Sequence, residues 1–378
     1  MKGAMVMRRV FNGIDLIDGA KSILRGNRIG LLSAASGVNK QGEATYSILR
    51  EKFELVALYS PEHGIRSNLQ DGGWEADHID PETALPIYNV GVNDAARLDA
   101  MLEGIDVLVY DIQDVGARFY TYLYNLSDMM TRCAILKKPI VILDRINPIG
   151  GTVIEGPRLD ESSCASGIGR FNLPTRYALT VGEYARWLNA EKKLGCELHV
   201  VKLEGWERSL YADETDLLFV NPSPNIPSIN AAINYVGTCI FEATNISEGR
   251  GTTRPFDLVG APYVDSNALV AHLRAKHIEG LVVRRAAFTP VFNKHAGKVC
   301  EGVELHITDR AAYCPLYAAL CILEHVRQYP EFEASQNGLA LRYGTTEINT
   351  DCSAETLVAK AVAEYPRYRR EISPYLLY

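Results

Sequence analysis

Residues 106–143 read DVLVYDIQDVGARFYTYLYNLSDMMTRCAILKKPIVIL. The stretch opens with one apolar run, 106–110, and closes with a second, 139–143, each as long as a single strand. Between them, residues 121–136 have the length of a helix. Continuous apolar strands that alternate with helices predict a parallel sheet covered by helices on both faces.

The same alternation extends in both directions over about the first 260 residues. Further apolar runs predict strands at 28–32, 54–59, 197–203 and 217–220. Helices are predicted at 43–52, at 93–102 with Asn93 as the N-cap, and at 184–191 after a capping-box sequence at Thr180 and Glu183. The fold class is therefore predicted to be α/β, with a doubly wound parallel sheet in residues 1–260.

After residue 260 the pattern changes. Helices are predicted at 265–276, at 311–328 and after the cap-like Ser353, and strands at 281–285 and 302–308. Separated helices and strands of this kind indicate a second, smaller α+β domain in residues 261–378.

Composition excludes several classes of protein. The 378 residues are 47% hydrophobic and 22% charged, which is the balance of a globular protein with a large core. No apolar run approaches the ~20 residues of a membrane helix, and residues 1–17 lack the apolar stretch of a signal peptide. A net charge of −7 argues against nucleic-acid binding. Eight scattered cysteines are typical of reduced thiols in a cytoplasmic protein, and no histidine or cysteine spacing predicts a metal site.

Polar residues gather after the predicted strands of the first domain. Ligands of open parallel sheets bind beyond the carboxyl ends of the strands, so these residues are expected to share one rim. The candidate site residues are Ser36, Glu62, His63, Arg66, Asp111, Asp114, Arg118, Tyr120, Asn147, Asn221, Asn245, Glu248, Arg250 and Thr252.

The composition of this rim indicates a sugar ligand. Carboxylates with Asn, Ser and Tyr suit a hydroxyl-rich molecule, and arginines suit a carboxylate or phosphate on it. A pair of carboxylates also provides what glycoside hydrolysis requires. Structural alternatives stay open, because Glu62 could be salt-bridged, Asp111 or Asp114 could cap a helix, and Arg145 could form an internal ion pair with Asp144.

A nucleotide-dependent enzyme is weakly supported. The turn after the first predicted strand reads Ser-Ala-Ala-Ser-Gly at 33–37, which is not a Gly-x-Gly-x-x-Gly sequence. No Walker sequence occurs either. No cofactor is therefore expected.

Several motifs resemble those of the NamZ family of exo-β-N-acetylmuramidases. They are Pro-Glu-His-Gly at 61–64, the stretch 110–122, Leu-Asp-Arg-Ile-Asn-Pro at 143–148, Glu-Gly-Pro at 155–157, Asn-Pro-Ser-Pro-Asn at 221–225, Gly-Thr-Cys-Ile-Phe-Glu at 237–242, 245–252 and Tyr-Leu-Leu-Tyr at 375–378. The resemblance runs nearly end to end. It departs from the family pattern at 176–180, where Arg-Tyr-Ala-Leu-Thr stands in place of Arg-His-Gly-Met-Thr.

The resemblance implies a Rossmann-like domain without a dinucleotide, joined to a smaller C-terminal domain that closes the cleft. It further implies release of terminal N-acetylmuramic acid from the non-reducing ends of peptidoglycan fragments. Glu62 is then the expected general acid, and Asp111, Asp114 or Glu248 the second carboxylate. His63, next to Glu62, could orient it or bind the substrate. Arg118 or Arg250 would bind the lactyl carboxylate of the sugar.

Some alternatives stay open on the sequence alone. The enzyme could retain or invert the anomeric configuration, or use the acetamido group of its substrate, because the separation of the carboxylates decides between these routes. A non-catalytic protein that binds amino sugars or muropeptides is the alternative function.

Overall fold

The computed structural model describes residues 7–92 and 94–378, and a seven-stranded sheet forms the centre of the first domain. Its strands are β1 (Arg28–Ser33), β2 (Glu54–Ser60), β3 (His78–Ile79), β4 (Pro86–Asn89), β5 (Val107–Asp111), β6 (Ile140–Leu143) and β7 (Leu198–Val201). Their spatial order is β3-β4-β2-β1-β5-β6-β7. All neighbours pair in parallel except β3 and β4, which are antiparallel.

Helices cover both faces of this sheet. The 3-10 segment Gly13–Ala20, α1 (Lys21–Leu24) and α2 (Thr45–Lys52) lie on one face, and α3 (Ala95–Glu103), α4 (Tyr122–Leu136) and α6 (Val181–Glu191) lie on the other. The first domain also contains α5 (Glu161–Cys164), α7 (Ile229–Thr238) and 3-10 segments at Ala212–Glu214 and Cys239–Ala243. Successive residues of β5 enter different cores. Val107 and Val109 pack beside the 3-10 segment Gly13–Ala20 and α2, whereas Leu108 and Tyr110 pack with α3 and α4. The predicted doubly wound α/β sheet is confirmed.

The prediction of a strand at 217–220 is wrong. These residues form an irregular segment after Ala212–Glu214, and no strand pairs with them among the described residues. Leu217 and Phe219 pack against the core, but Leu218 is 55% exposed. The apolar run therefore covers a core edge without entering the sheet.

Several elements of the first domain were not predicted from the sequence: the strands β3 and β4 and the helices α1, α5 and α7. Asn93 lies outside the described residues, and Asp94 caps α3 by accepting hydrogen bonds from the main-chain N–H groups of Ala96 and Arg97. The predicted capping box of α6, formed by Thr180 and Glu183, is present.

The second domain has a three-stranded antiparallel sheet. Its strands β8 (Leu258–Ala261), β9 (Leu281–Phe288) and β10 (Cys300–Ile307) lie in the order β8-β10-β9. Its helices are α8 (Ser266–Ala275), α9 (Pro315–Val326), α10 (Gln336–Tyr343) and α11 (Ala354–Ile372), with 3-10 segments at Thr346–Asn349 and Ser373–Tyr375. The predicted smaller α+β domain is confirmed. The boundary near residue 260 stays a prediction, and β8, which spans that position, pairs with β10.

No helix in residues 7–92 and 94–378 is both long enough and apolar enough to cross a membrane.

Candidate active site

A cavity of about 230 Å³ lies where the loops after β2 and β5 meet the segments around β8 and α10. Its lining residues are Glu62, His63, Asp71, Gly72, Phe119, Tyr120, Thr121, Ile168, Ser223, Asn225, Ile226, Tyr235, Glu242, Arg250, Phe256 and Arg342. Both domains therefore contribute side chains to one cavity, whose lining combines charged, polar and apolar groups.

Glu62 lies directly after β2 and is held at both carboxylate oxygens. Its Oε1 accepts a hydrogen bond from the main-chain N–H of Gly72 at 2.9 Å, and its Oε2 accepts one from the Thr121 hydroxyl at 2.8 Å. The side chain is half-buried and lines the cavity. Glu62 is thus fixed between its own loop and the start of α4.

His63 fixes the loop that carries Glu62. Its backbone has φ = 72°, a left-handed conformation that residues with a side chain rarely adopt. Nδ1 lies 2.9 Å from the carbonyl oxygen of Leu69, and the main-chain N–H donates to the carbonyl of Gly73 at 2.9 Å. Backbone strain held by surrounding contacts is frequent at functional sites.

On the opposite wall of the cavity, positively and negatively charged side chains alternate. Arg250 Nη1 lies 2.6 Å from Glu242 Oε1, and Arg342 Nη2 lies 2.9 Å from Glu242 Oε2. Burial would raise the pKa of Glu242, but the two guanidinium groups outweigh burial and lower it. Glu242 is therefore an ionised carboxylate inside the cavity at neutral pH.

Asp71 completes the charged lining. Its Oδ1 is 3.6 Å from Arg250 Nη2, and 54% of its side chain is exposed. The cleft nevertheless removes enough water around the carboxylate to raise the pKa of Asp71, while Arg250 acts in the opposite direction. Because its contact with Asp71 is long, Arg250 Nη2 is free to bind a ligand.

Aromatic rings form the remaining wall. The ring of Tyr120 packs edge-on against Tyr122 with centroids 4.6 Å apart, and Tyr235 packs in the same way on Phe256 at 4.7 Å. The Tyr120 hydroxyl is buried and has no hydrogen-bond partner among the described residues.

The structure brings four of the candidate site residues to the cavity: Glu62, His63, Tyr120 and Arg250. Asp111 lies elsewhere, fully buried, where it accepts hydrogen bonds from Arg145 Nε at 2.5 Å and Nη2 at 2.8 Å and from the Thr45 hydroxyl. Arg145 thus pairs with Asp111, and Asp144 accepts instead from Thr180 and Gly182. The Asp111–Arg145 pair joins the ends of neighbouring strands.

Asp114 and Glu248 are also enclosed behind the cavity wall. Asp114 Oδ2 accepts hydrogen bonds from the Gly116 N–H at 2.6 Å and from the Tyr177 hydroxyl. Burial raises the pKa of Asp114 to about 6. Glu248 pairs with Arg250 Nη1 at 3.2 Å and with Lys294 Nζ at 2.8 Å. Glu248 therefore supports Arg250 from behind.

Ser36, Asn147, Asn245 and Thr252 organise turns of the main chain. Ser36 Oγ accepts from the Gln113 N–H, and Asn147 donates to the Leu179 carbonyl and accepts from Ile149. Asn245 bonds to Glu331, Tyr263 and Glu333, and the Thr252 hydroxyl donates to the Gly249 carbonyl.

Three further candidates lie off the cavity. Arg66 pairs with Asp80 and Glu82 near the surface, and Asn221 is exposed. Arg118 is fully buried and donates to main-chain carbonyls of α10. Whether any of the three touches substrate stays a prediction.

Sequence reasoning missed five residues that line the cavity: Asp71, Ser223, Asn225, Glu242 and Arg342. Glu242 ends the motif at 237–242, and Ser223 and Asn225 lie in the motif at 221–225, so the sequence held a signal for Ser223, Asn225 and Glu242. Asp71 lies nine residues beyond Glu62 in a loop, and Arg342 lies on α10, far along the chain from any strand end of the first domain. For those two residues no such signal was available.

Within 7–92 and 94–378, no group of three or more His, Cys, Asp or Glu side chains is placed to hold a metal ion.

Comparison with known proteins connects this geometry to a family. Residues 29–230 match the family model for the N-terminal domain of the exo-β-N-acetylmuramidase NamZ, and residues 233–378 match that for its C-terminal domain. The chain is 38% identical to the peptidoglycan β-N-acetylmuramidase NamZ of Bacillus subtilis (strain 168), over 98% of this chain and 92% of that protein.

Two solved structures from Bacteroides fragilis, both described as DUF1343 family proteins, have the same fold. One superimposes with a TM-score of 0.88 at 32% identity and covers 99% of this chain and 100% of its own. The other has a TM-score of 0.79 at 29% identity, with 98% and 99% covered. Together with the two matching family models and the relative from B. subtilis, they establish that the chain belongs to the NamZ family of exo-β-N-acetylmuramidases.

Proposed function

We propose that this protein is an exo-acting glycoside hydrolase that releases terminal, β-linked N-acetylmuramic acid from the non-reducing ends of peptidoglycan fragments. The observation that carries the proposal is the meeting, in one cavity, of Glu62 with the Arg250–Glu242–Arg342 cluster. The acid–base groups of glycoside hydrolysis and the cations that suit an acidic sugar are thereby combined.

Glu62 is the group that protonates the leaving oxygen. It lines the cavity, and the hydrogen bonds from Gly72 and Thr121 fix its position. A fixed carboxyl group is what general acid catalysis needs, because proton transfer depends first on geometry. His63 orients Glu62 by fixing their shared loop and does not itself serve as the acid.

Glu242 and Asp71 are the other carboxylates that face the substrate. Glu242 stays ionised because Arg250 and Arg342 lower its pKa, so it can stabilise or attack a positively charged anomeric centre. Asp71 lies nearer the opening. We assign the second catalytic role to this pair rather than to Asp111, Asp114 or Glu248, whose carboxylates are buried among protein donors.

Arg250 is the proposed ligand of the lactyl carboxylate. Its Nη2 has a long, 3.6 Å contact with Asp71, whereas its Nη1 is held by Glu242 and Glu248. A carboxylate on the substrate can take the place of Asp71 in a shorter hydrogen bond. This contact would distinguish N-acetylmuramic acid from N-acetylglucosamine, which lacks the lactyl group.

The size of the cavity supports exo action. Its volume of about 230 Å³ is below the ~300–1,000 Å³ typical of sites for drug-sized ligands, which favours a ligand of about one sugar residue over a long glycan. Arg342 of the second domain bounds the site together with Glu242 and Arg250 of the first. A small glycan fragment or muropeptide, rather than nucleic acid, is the partner that this cavity suits.

A cytoplasmic location completes the proposal. All eight cysteines are free thiols, and six of them are buried. Unpaired thiols are typical of a reducing compartment. In that compartment the substrate is an imported wall fragment.

The proposal is tested with 4-nitrophenyl β-N-acetylmuramide beside the matching N-acetylglucosaminide, without added metal or nucleotide. Wild-type protein should release nitrophenol from the muramide alone. Glu62→Gln keeps the shape of Glu62 and one of its two acceptor oxygens but cannot act as an acid. On a disaccharide with N-acetylmuramic acid at its non-reducing end, whose leaving sugar oxygen needs a proton, kcat should fall by about 10²–10⁴-fold. The control Glu103→Gln changes an exposed glutamate at the end of α3 and should leave the rate unchanged.

Two outcomes would contradict the proposal. Equal release from both glycosides would remove the selectivity for the lactyl group. No release from either glycoside by folded protein, with N-acetylmuramic acid still bound in calorimetry, would favour the alternative function of an amino-sugar-binding protein.

A further inference from the structure

Arg118 is a fully buried cation that has no counter-ion within the part of the chain that the structure describes. Its Nη2 donates to the carbonyls of Tyr343 at 3.0 Å and Arg342 at 3.1 Å, with a longer contact to the Thr175 hydroxyl at 3.4 Å. Nε and Nη1 have no partner among the described residues. Burial lowers the pKa of Arg118 to about 10.

The other deeply buried arginines are paired in the usual way. Arg145 lies 2.5 Å from Asp111, and Arg176 lies 2.8 Å from Glu155. Burial of a charge is costly unless a partner compensates it, and Arg118 has only carbonyl dipoles for this purpose. Because burying this charge costs free energy, its presence indicates a role that a neutral side chain cannot fill.

The carbonyls that Arg118 binds end the helix α10. The C-terminus of a helix carries a partial negative charge and unsatisfied carbonyl groups, so a cation there stabilises and orients the helix. Arg342, whose carbonyl accepts from Arg118, sends its own side chain into the cavity to Glu242. Arg118 thus acts on the main chain of a residue that lines the cavity.

Arg118 also belongs to the opposite wall. Phe119, Tyr120 and Thr121, the three residues that follow it, line the cavity, and Thr121 donates to Glu62. The backbone of Arg118 is itself held by Thr175 and by the Tyr124 hydroxyl. One residue therefore connects the wall that carries Glu62 to the wall that carries Arg342.

Two glycines leave room for this guanidinium group. A Cβ atom on Gly344, which ends α10 with φ = 109°, would lie 2.7 Å from Arg118 Nη2. A Cβ atom on Gly169 would lie 2.9 Å from Nη1. The guanidinium position is thus enclosed on two sides.

We propose that Arg118 is a positioning residue, which sets the separation of the two cavity walls by holding the C-terminus of α10 and thereby the Arg342 side chain. This inference rests on the proposed function for its kinetic consequence. Its structural consequence, the position of Arg342, is independent of that function.

Gly169→Ala is the sharpest test, because it moves the guanidinium group without removing it. The control is Gly167→Ala in the same loop, where a Cβ atom meets nothing within 4 Å. In crystal structures, Gly169→Ala should displace Arg342 Nη2 from its 2.9 Å contact with Glu242, and Gly167→Ala should not. An unmoved Arg342 beside a displaced Arg118 would overturn the inference, whether or not the protein hydrolyses the muramide.

Kinetics supply the second test. Because displacements of about 1 Å can cost up to about 10²-fold in rate, Arg118→Met should lower kcat/KM on the muramide by about 10–100-fold. Arg118→Lys, which retains donors for the two carbonyls, should recover most of that loss. If Arg118→Met does not fold, the comparison of Arg118→Lys with Gly169→Ala replaces it.

A double-mutant cycle separates positioning from general destabilisation. Arg342→Ala should cost much less in the Gly169→Ala background than in wild type, since the position of Arg342 is already lost there. Independent, multiplying effects would contradict the inference. A wild-type protein without muramidase activity would contradict the proposed function alone, because the crystallographic test would still decide the role of Arg118.

Discussion

Asp114 is the residue at which burial and charge conflict most clearly. Its Oδ2 accepts two hydrogen bonds, from Gly116 and Tyr177, whereas its Oδ1 is buried and has no partner in residues 7–92 and 94–378. Burial therefore raises the pKa of the carboxyl group to about 6, against an ordinary value of 3.8. Between these two values the folded protein holds a proton that the unfolded chain has already released.

A pH dependence of stability follows from this proton. The free energy of unfolding that Asp114 contributes should fall as pH rises from about 4 to about 6, by about 1–3 kcal/mol. Asp114→Asn removes the titration, and its amide oxygen can still accept from Gly116 and Tyr177. The Tm of the variant minus that of wild type should therefore increase over this pH range and then level off. Parallel curves would show that Asp114 does not titrate there.

At the residue scale, the sequence predicted the acid but not its surroundings. Glu62 and His63 could be found because they follow directly after a strand, at the rim where ligands bind. Asp111 and Asn147 obey the same rule, yet their side chains turn inward to hold an arginine and a turn. Position after a strand does not determine whether a side chain faces the cleft or the protein.

Tyr177 shows the same limit. It stands where the family pattern has histidine, and in this chain its hydroxyl donates to Asp114. The substitution is visible in the sequence, but its partner lies 63 residues away and is visible only in the fold.

At the scale of elements, β5 has an Arg–Asp pair at each end. Asp106, just before the strand, pairs with Arg28 at 2.8 Å in the open, and Asp111, its last residue, pairs with Arg145 inside the protein. An exposed and a buried ion pair at the two ends of one strand can therefore be compared.

The two pairs should differ strongly when broken. Asp111→Ala leaves the buried Arg145 uncompensated and should lower the free energy of unfolding by about 3–5 kcal/mol. Asp106→Ala should cost about 0–1 kcal/mol, because Asp106 and its partner Arg28 are both exposed to water. Urea unfolding measures both values, and the folded Asp111→Ala protein should keep its muramidase activity. Equal costs would show that burial does not decide the strength of these pairs.

The predicted elements divide along physical lines. Continuous apolar runs identified β1, β2, β5 and β6, because a strand buried on both faces must be apolar throughout. The run at 197–203 identified β7 as well, although this edge strand is only partly buried. The run at 217–220 has the same composition but no neighbouring strand, so composition alone was insufficient. The strands β3 and β4 were missed because two and four residues are too few to show the periodic spacing of apolar residues that identifies a strand.

At the scale of the whole molecule, a C-terminal segment returns to the first domain. After α11, the Arg186 side chain donates to the carbonyl of Tyr375 at 2.8 Å, and the Leu377 N–H donates to Glu183 at 2.8 Å. The Tyr378 hydroxyl donates to Asp144 Oδ2 at 2.7 Å and accepts from the Leu203 N–H at 3.0 Å. The two domains are thereby joined at a point away from the cavity.

Tyr378→Phe tests this connection. It leaves a buried carboxylate with one donor fewer and the Leu203 N–H without a partner, so the free energy of unfolding should fall by about 1–3 kcal/mol. Tyr375→Phe is the matched control, since its hydroxyl bonds to Glu191 at the surface and should matter little. Calorimetry of both variants distinguishes the two contacts, and an equal loss in both would contradict the special role of Tyr378.

The Tyr378–Asp144 hydrogen bond also has a consequence for the order of events during translation. The two residues are 234 positions apart, and a ribosome that adds about 5–20 residues per second needs roughly 10–50 seconds to cover that distance. Throughout this interval the nascent first domain lacks one of the donors that Asp144 requires. Completion of the first domain is therefore timed by the synthesis of the second.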